Sequence, residues 1–185
     1  MKGQRTKGTH FLHVVKLLRA NRERLVELLN PALLHYLDER ILPSSWYSSD
    51  DHLELLRVVS KMMPKGIDPW IAMGRGSARM DLEGAYKHHF RFQDPEMTLR
   101  VLPAVWKSTH DTGKFINQFH GPYEASFKLV DYPVMTDEIC RITTGYIIEA
   151  LNLSGAKDPD VQHITCVAAK ASCCTWIARW AGMQW

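Results

Sequence analysis

The chain has 185 residues, of which 45% are hydrophobic and 23% are charged, a composition typical of one globular domain with a substantial core. We therefore expect a single domain over residues 1–185. No apolar run approaches the roughly 18 to 20 residues needed to span a bilayer, and no signal-peptide pattern is present at the N-terminus. A cytoplasmic location is expected, where the four cysteines are better explained as thiols or metal ligands than as disulfides.

The net charge of +3 is unevenly distributed along the chain. Residues 1–24 carry seven lysines and arginines against one glutamate. A basic arm can bind phosphates or anionic lipid, but a cluster this sparse is typical of a solvated helix face. Binding of nucleic acid is not expected.

Residues 1–110 are predicted to be mainly helical. Apolar residues at helical spacing predict helices over 9–19 and 22–41, and the second is expected to break at Asn30-Pro31, because proline cannot donate within the helix. Residues 41–52 are predicted as a connector. Ser48 or Ser49 is expected to begin a helix that runs to about Met63.

Two later helices are predicted to begin at Asp68-Pro69 and at Asp94-Pro95, since each pair combines a capping side chain with proline in the first turn. The first is expected to reach about Phe92 and the second about Ser108. Gly74 and other small residues of the helix that begins at Asp68-Pro69 do not form a phosphate loop, because a third glycine and a preceding strand are missing. They are better explained by close approach of a neighbouring element.

Residues 113–185 are predicted as hairpin, helix and hairpin. The first hairpin turns at Gly121-Pro122, Thr136 caps the helix, and strands over 160–168 and 173–181 form the second hairpin. The predicted fold is α+β: a helical N-terminal half packed on a small antiparallel sheet made of two hairpins flanking a helix.

Several motifs resemble those of a protein family common in myxobacteria. They are the N-terminal MKG, ILPSSWY, GxxSARxxLxGxY over 74–86, and CRITTGYIIEALNLSGAKDxxVxHxxC over 140–166. That family is similar to the 4-vinyl reductase domain superfamily, whose fold is related to the haem NO-binding associated and TRAPP-like domains. The resemblance implies a non-catalytic module that responds to a ligand or binds a partner. It also implies a structural zinc site.

The resemblance assigns the zinc ligands to Cys140, His163, Cys166 and Cys174. Histidine stands where the family has an acidic ligand, and a Cys₃His set is still a closed tetrahedral zinc site. In an unbroken strand, residues 163 and 166 would face opposite sides, so we expect a bulge or a strand end near Thr165. Two alternatives are open: the cysteines are buried small hydrophobes, or Cys166 and Cys174 form a cross-strand disulfide.

Cys173 is expected to point away from Cys174, because neighbouring residues of a strand face opposite sides. It becomes an alternative ligand if the hairpin register slips by one residue.

Four aromatic side chains are candidates for the lining of a pocket between the sheet and the helices: Trp106, Phe119, Phe127 and Tyr146. Such a pocket would take an apolar or aromatic ligand. Ordinary core packing is the alternative, since large apolar residues are usually buried. Haem would need an axial ligand, and the nine histidines form no recognisable ligation motif.

No nicotinamide fingerprint, Ser-His-Asp set or pair of carboxylates indicates an enzyme. The sequence therefore predicts a non-enzymatic, small-molecule sensing or regulatory domain with a structural zinc ion. The alternative is a protein-interaction scaffold that forms a homodimer or docks on a regulatory partner, without a small ligand.

Overall fold

A computed structural model describes residues 4–85, 87 and 93–183. The chain forms two compact units. The first unit is Met1–Ile67 with Ser108–Thr112, and the second is Asp68–Lys107 with Gly113–Trp185. That the whole chain is one domain stays a prediction. Within the described residues, every helix is too short or too polar to cross a membrane.

The first unit is mainly helical. Its regular elements are β1 (Arg5–Lys7), α1 (Gly8–Ala20), α2 (Arg22–Leu25), 3₁₀ helices at Val26–Leu28 and Pro31–Leu37, β2 (Trp46–Ser48) and α3 (Ser49–Ser60). The break at Asn30-Pro31 is confirmed, and the Asn30 side chain accepts a hydrogen bond from the Ala32 amide at 3.0 Å. Ser48 caps α3 as expected, accepting from the Asp51 amide at 3.1 Å.

The prediction of a connector over residues 41–52 is wrong for its second half. Trp46–Ser48 forms β2, which pairs antiparallel with β1 so that Arg5 lies opposite Ser48 and Lys7 opposite Trp46. The ammonium group of Lys7 lies 4.4 Å from the Trp46 ring centroid. This pairing joins segments that are far apart in the sequence, so no local pattern indicated it.

Phe11 is the centre of the core of the first unit. Its ring is fully buried and stacks on Tyr47 at 4.6 Å and on His52 at 5.7 Å, with Tyr36 edge-on at 4.7 Å. Burial lowers the pKa of His52 to about 3, because a charged imidazole would lose its hydration there.

The second unit combines helices with a four-stranded sheet. Its elements are α4 (Pro69–Met80), a π-helical turn at Asp81–Ala85, α5 (Pro95–Thr109, whose last residues belong to the first unit), β3 (Lys114–Gly121), β4 (Glu124–Val130), α6 (Asp137–Leu153), β5 (Asp160–Thr165), a 3₁₀ turn at Val167–Ala169 and β6 (Cys174–Arg179). All strands are antiparallel, in the order β3-β4-β6-β5. The α+β fold with two hairpins flanking a helix is therefore confirmed for residues 113–183.

The predicted helix starts are also confirmed. Asp68 accepts from the Trp70 amide at 3.0 Å, Asp94 from the Met97 amide at 2.8 Å and Thr136 from the Ile139 amide at 3.4 Å. The predicted end of the Asp68 helix is wrong. α4 ends at Met80, and Gly84 in the π-helical turn has non-helical angles (φ −111°, ψ −105°). Residues 86 and 88–92 of the predicted helix lie outside the described residues.

Helix α6 packs against both α4 and the sheet. At the α4–α6 crossing, a Cβ added to Gly74 would lie 2.0 Å from the Ile142 carbonyl oxygen, and one added to Gly145 would lie 2.2 Å from the Ile71 carbonyl oxygen. The close-approach explanation is thus confirmed for Gly74. Buried side chains from α6 and one face of the sheet form the core of this unit, among them Phe115, Phe127, Leu129, Ile147 and Trp176.

Candidate functional site

The cysteine–histidine cluster consists of Cys140, His163, Cys166 and Cys174. One ligand atom from each residue lies within 4.8 Å of the others. Cys140 comes from the first turns of α6, His163 from β5, Cys166 from the residue after β5, and Cys174 from the first residue of β6. Residues that are far apart in the sequence thus meet where α6 packs over one end of the second hairpin.

The distances from Cys140 Sγ to the other two sulfur atoms of the cluster match those of a tetrahedral zinc site. Cys140 Sγ lies 3.6 Å from Cys166 Sγ and 3.7 Å from Cys174 Sγ. With zinc–sulfur bonds of about 2.3 Å, a regular tetrahedron has sulfur–sulfur edges of about 3.8 Å. All four cysteines of the chain are free thiols, so the structure does not contain the cross-strand disulfide.

An irregularity in β5 allows His163 and Cys166 to reach the same point. The ladder pairs His163 with Trp176 and then Thr165 with Thr175, so the register shifts between His163 and Thr165. The expected bulge near Thr165 is therefore present. It reverses the ordinary alternation of side chains for the residues that follow.

The imidazole of His163 is oriented with one nitrogen toward the thiols. Its Nε2 is buried and has no hydrogen-bond partner. Burial lowers the pKa of His163, which favours the neutral imidazole that a metal ion requires. A buried nitrogen without a partner is costly in a folded protein unless a ligand binds it.

A backbone amide of the turn after β5 donates to one of the sulfur atoms. The Val167 amide lies 3.3 Å from Cys174 Sγ, and the Ala169 amide donates to the Cys166 carbonyl oxygen at 3.0 Å. Burial acts to raise the pKa of the Cys166 thiol, but the Cys140 thiol and the nearby amides of Ala168 and Ala169 outweigh it and lower that pKa. The turn is thus arranged to stabilise negative charge on sulfur.

The environment of Cys140 acts in the opposite direction. Burial and the neighbouring Cys174 and Cys166 raise the pKa of the Cys140 thiol far above its ordinary value. A divalent cation would reverse this balance, since coordination deprotonates a thiol outright. The cluster can therefore hold a soft divalent ion.

Cys173 lies on the other side of β6 from the cluster. Cys174 is fully buried, whereas Cys173 is half-buried with its Sγ 3.7 Å from Thr175 Oγ1. The expected opposite orientation of these two cysteines is confirmed. Cys173 is therefore a matched reference position for experiments on the cluster.

The four predicted pocket residues belong to the core of the second unit or pack against it. Trp106 and Phe127 both stack on Phe115, with ring centroids at 5.9 Å and 5.7 Å. Phe127 is fully buried, which places it in the packed core.

The other two predicted residues make different contacts. The Phe119 ring lies 4.6 Å from the Arg100 guanidinium, and the Tyr146 hydroxyl donates to Asp81 Oδ2 at 3.0 Å. Trp106 and Phe127 therefore share one aromatic neighbour, Phe115. Phe119 and Tyr146 instead contact a charged side chain each, Arg100 and Asp81.

Two residues near the cluster were not indicated by the sequence analysis. Trp176 lies opposite His163 in the ladder and stacks on its ring, with centroids 4.8 Å apart and an interplanar angle of 21°. Thr144 accepts a hydrogen bond from the indole Nε1 of Trp176 at 2.9 Å. The period of two in Cys174-Thr175-Trp176 could have shown that Trp176 faces the same side as the proposed ligand.

No protein-family profile and no curated protein matches the chain. Solved structures do resemble it. One, from a study of haem distortion in the H-NOX family, is 16% identical with a TM-score of 0.68 and covers 97% of both chains. A triple mutant of an H-NOX protein from S. oneidensis, in the Fe(II) ligation state, is 16% identical with a TM-score of 0.67 and covers 96% of this chain and 97% of that one.

A point mutant of T. tengcongensis H-NOX is 15% identical with a TM-score of 0.62, over 97% of this chain and 100% of that one. The expected likeness to 4-vinyl reductase and TRAPP-like domains and to the myxobacterial family stays a prediction. Across nearly its whole length, the chain has the α+β fold seen in H-NOX domains.

Proposed function

We propose that the chain is a non-enzymatic sensing or regulatory domain whose second unit is braced by a structural zinc ion. The observation that carries the zinc assignment is the cysteine–histidine cluster, in which one imidazole nitrogen of His163 lies within 4.8 Å of three sulfur atoms. The buried Nε2 of that imidazole has no hydrogen-bond partner, which is the state expected of a metal-binding nitrogen. Three sulfurs and one imidazole are the ligands that tetrahedral zinc prefers.

The proposed role of the zinc is structural. The sulfur atoms of Cys140 and Cys174 belong to fully buried residues, and four protein ligands complete a tetrahedral coordination sphere. A catalytic zinc keeps one position open for water or substrate, which a complete set of four protein ligands does not provide. The ion would tie the start of α6 to both strands of the second hairpin.

A sensing role is supported by the fold that the chain shares with H-NOX domains over 97% of its length. The two described histidines of the second unit are not placed as axial haem ligands. His120 lies at the exposed end of β3 and contacts Ser126 Oγ at 2.7 Å, while His163 faces the thiols. The core between α6 and the sheet is filled by buried side chains, among them Phe127 and Trp176.

The ligand that we propose is a small apolar or aromatic molecule. Its contacts would be Trp106, Phe119 and Tyr146, which are partly exposed at the border of the core, with Phe127 behind them. The Tyr146 hydroxyl and the Asp81 carboxylate that accepts from it would supply polar contacts. An apolar site with a few convergent polar groups is typical of small-molecule binding.

A thermal-shift screen of phenols, other small aromatics and fatty acids tests this part of the proposal. A ligand that prefers the native state raises its melting temperature, and Trp106→Phe should reduce that rise. Tyr123→Phe is the control, because Tyr123 is 49% exposed in the turn between β3 and β4. No shift with any compound would favour the interaction scaffold instead.

The scaffold alternative would use the exposed side of the sheet. Ile116 on β3 and Ile164 on β5 are 48% and 50% exposed, on the two edge strands with β4 and β6 between them. Single exposed hydrophobics of this kind do not by themselves mark a docking surface, so the oligomeric state is the test. Light scattering of the purified protein distinguishes a homodimer from a monomer, and Ile116→Lys should dissociate a dimer that uses this face.

Metal analysis tests the zinc assignment. Protein purified under reducing conditions without chelator should contain one zinc per chain. Cys166→Ser should lose most of it, whereas the control Cys173→Ser should retain it, because Cys173 faces away from the cluster. Wild-type protein without stoichiometric zinc, or equal loss in both variants, would contradict the assignment.

A further inference from the structure

The orientation of His163 needs an explanation beyond its own strand. β5 is an edge strand of the sheet, and its ladder is irregular next to His163. An imidazole at such a position can rotate about two side-chain torsions, and only a narrow range of orientations directs Nε2 toward the sulfur atoms. Its Nε2 is buried without a hydrogen-bond partner, so no hydrogen bond through that atom fixes the plane of the ring.

Trp176 restricts that tilt. It is fully buried, it lies directly opposite His163 in the ladder, and its indole is nearly parallel to the imidazole at a centroid distance of 4.8 Å. A flat indole against one face of the imidazole prevents the imidazole from tilting far from a plane parallel to the indole. The plane of His163 therefore depends on the plane of Trp176.

The plane of Trp176 is in turn fixed by α6. Its Nε1 donates to Thr144 Oγ1 at 2.9 Å, and the Thr144 hydroxyl donates to the Cys140 carbonyl oxygen at 2.9 Å. The hydroxyl thus accepts from one partner and donates to the other, which uses its single proton. The resulting series of contacts begins at His163 on β5 and ends at the backbone of Cys140 on α6.

We propose that Thr144 and Trp176 are positioning residues for the metal site: together they hold the His163 imidazole in the plane from which Nε2 reaches an ion bound by the three cysteines. This inference rests on the proposed zinc site. Neither residue is a ligand. Both act through His163, as outer partners of metal-binding histidines do when they fix the orientation of the ring.

Thr144→Val tests the proposal with little change in volume. Valine removes the acceptor of the indole N–H and the donor to Cys140 while keeping the branched shape. We expect the zinc affinity, measured by competition with a chromophoric chelator, to fall about 10-fold, the lower end of the range for outer-shell partners. Thr144→Ser keeps the hydroxyl and should retain most of the wild-type affinity.

Cobalt(II) substitution supplies a readout that a purely structural role would not change. In Thr144→Val, the near-ultraviolet bands from sulfur to cobalt should keep their intensity, because three thiolates remain bound. The visible ligand-field bands should move toward those of His163→Ala, in which a solvent oxygen replaces the imidazole. Trp176→Phe, which keeps an aromatic ring but loses the N–H, should move them in the same direction.

The outcomes distinguish failure of the metal site from failure of the positioning role. If wild-type protein binds neither zinc nor cobalt, the proposed metal site and the positioning role are both wrong. If wild-type protein binds cobalt with three thiolates and His163→Ala leaves the spectrum unchanged, His163 is not a ligand and the positioning role is again wrong. If His163→Ala changes the spectrum but Thr144→Val and Trp176→Phe keep the wild-type spectrum and affinity, the metal site stands and the positioning role is overturned.

Discussion

Gly74 lies directly against the backbone of Ile142, so that a Cβ on Gly74 would come within 2.0 Å of the Ile142 carbonyl oxygen. Backbone cannot rotate away as a side chain can, so helices α4 and α6 must separate to accept any larger residue. We expect Gly74→Ala to lower the free energy of unfolding by about 2–4 kcal/mol, measured by urea denaturation.

Gly76 provides the matched control, because it lies on the same helix with no atom within 4 Å of an added Cβ. Gly76→Ala should be neutral or stabilising by up to about 1 kcal/mol, since alanine loses less entropy in a helix than glycine does. Equal effects of the two substitutions would contradict a specific backbone contact at Gly74.

Removal of the metal should weaken one part of the second unit selectively. If the cysteine–histidine cluster holds zinc, a strong chelator should lower the free energy of unfolding by roughly 3 kcal/mol or more, because binding energy is linked to folding. Hydrogen exchange should accelerate in the β5–β6 hairpin and the first turns of α6, and much less in the β3–β4 hairpin. Cys173→Ser should respond to the chelator as the wild type does, and unchanged exchange in the second hairpin would argue against a bracing ion.

The stability of the chain should decrease as the pH falls below about 6.5, in part because of His52. Its pKa is about 3 in the folded chain, compared with 6.5 for the free side chain. Between these values the unfolded state binds a proton that the folded state excludes, so His52 reduces stability by up to about 1.4 kcal/mol per pH unit. The contribution of neutral His52 is complete above pH 6.5 and is lost toward pH 3.

His52→Gln keeps a hydrogen-bond donor at this position but does not titrate. Its free energy of unfolding should depend less on pH between 7 and 5 than that of the wild type. The difference between the two slopes should correspond to the uptake of up to one proton on unfolding. Parallel stability curves for the two proteins would show that the His52 pKa is not depressed.

Arg75 and Arg79 should act together on the buried carboxylate of Glu149. Each guanidinium forms an ion pair with one carboxylate oxygen, and the Arg75 Nε lies 2.7 Å from Oε2. Burial acts to raise the pKa of Glu149, but hydrogen bonds from both arginines outweigh it and lower that pKa. Either arginine alone still pairs the charge, and both are about half-exposed, so each single alanine variant should cost no more than about 1 kcal/mol.

The double variant leaves the carboxylate buried and unpaired, which should cost about 3 kcal/mol, more than the sum of the single variants. Adding Glu149→Gln should recover part of this loss, because it removes the unpaired charge. Strict additivity of the two arginine substitutions in urea denaturation would rule out a shared role.

Local signals in the sequence predicted the beginnings of helices well. Asp68, Asp94 and Thr136 each cap a helix with their own side chain, and the first two are followed by proline. These signals depend on residues within one turn and therefore need no tertiary information. The end of α4 was not predictable in this way, because Gly84 alone does not indicate a π-helical turn.

Pairings between distant segments could not be predicted from the sequence. Nothing near Trp46 indicates that it lies opposite Lys7, and nothing near Glu149 indicates its two arginines, although Arg75 and Arg79 share a helix face at a spacing of four. The proposed ligand set came from a family resemblance. That ligand set requires a bulge after His163. The bulge depends on the register in which β5 pairs with β6, and a sequence pattern does not define that register.

The order β3-β4-β6-β5 determines when the cluster can form during folding. Each hairpin joins neighbouring segments, whereas the contact of Leu129 on β4 with Cys174 on β6 closes the chain around the whole of α6. Closing that long loop has a larger entropic cost than closing either hairpin turn, so it is expected later. The three thiols meet only after α6 has docked, so a metal ion could be bound by all three only after the long loop has closed.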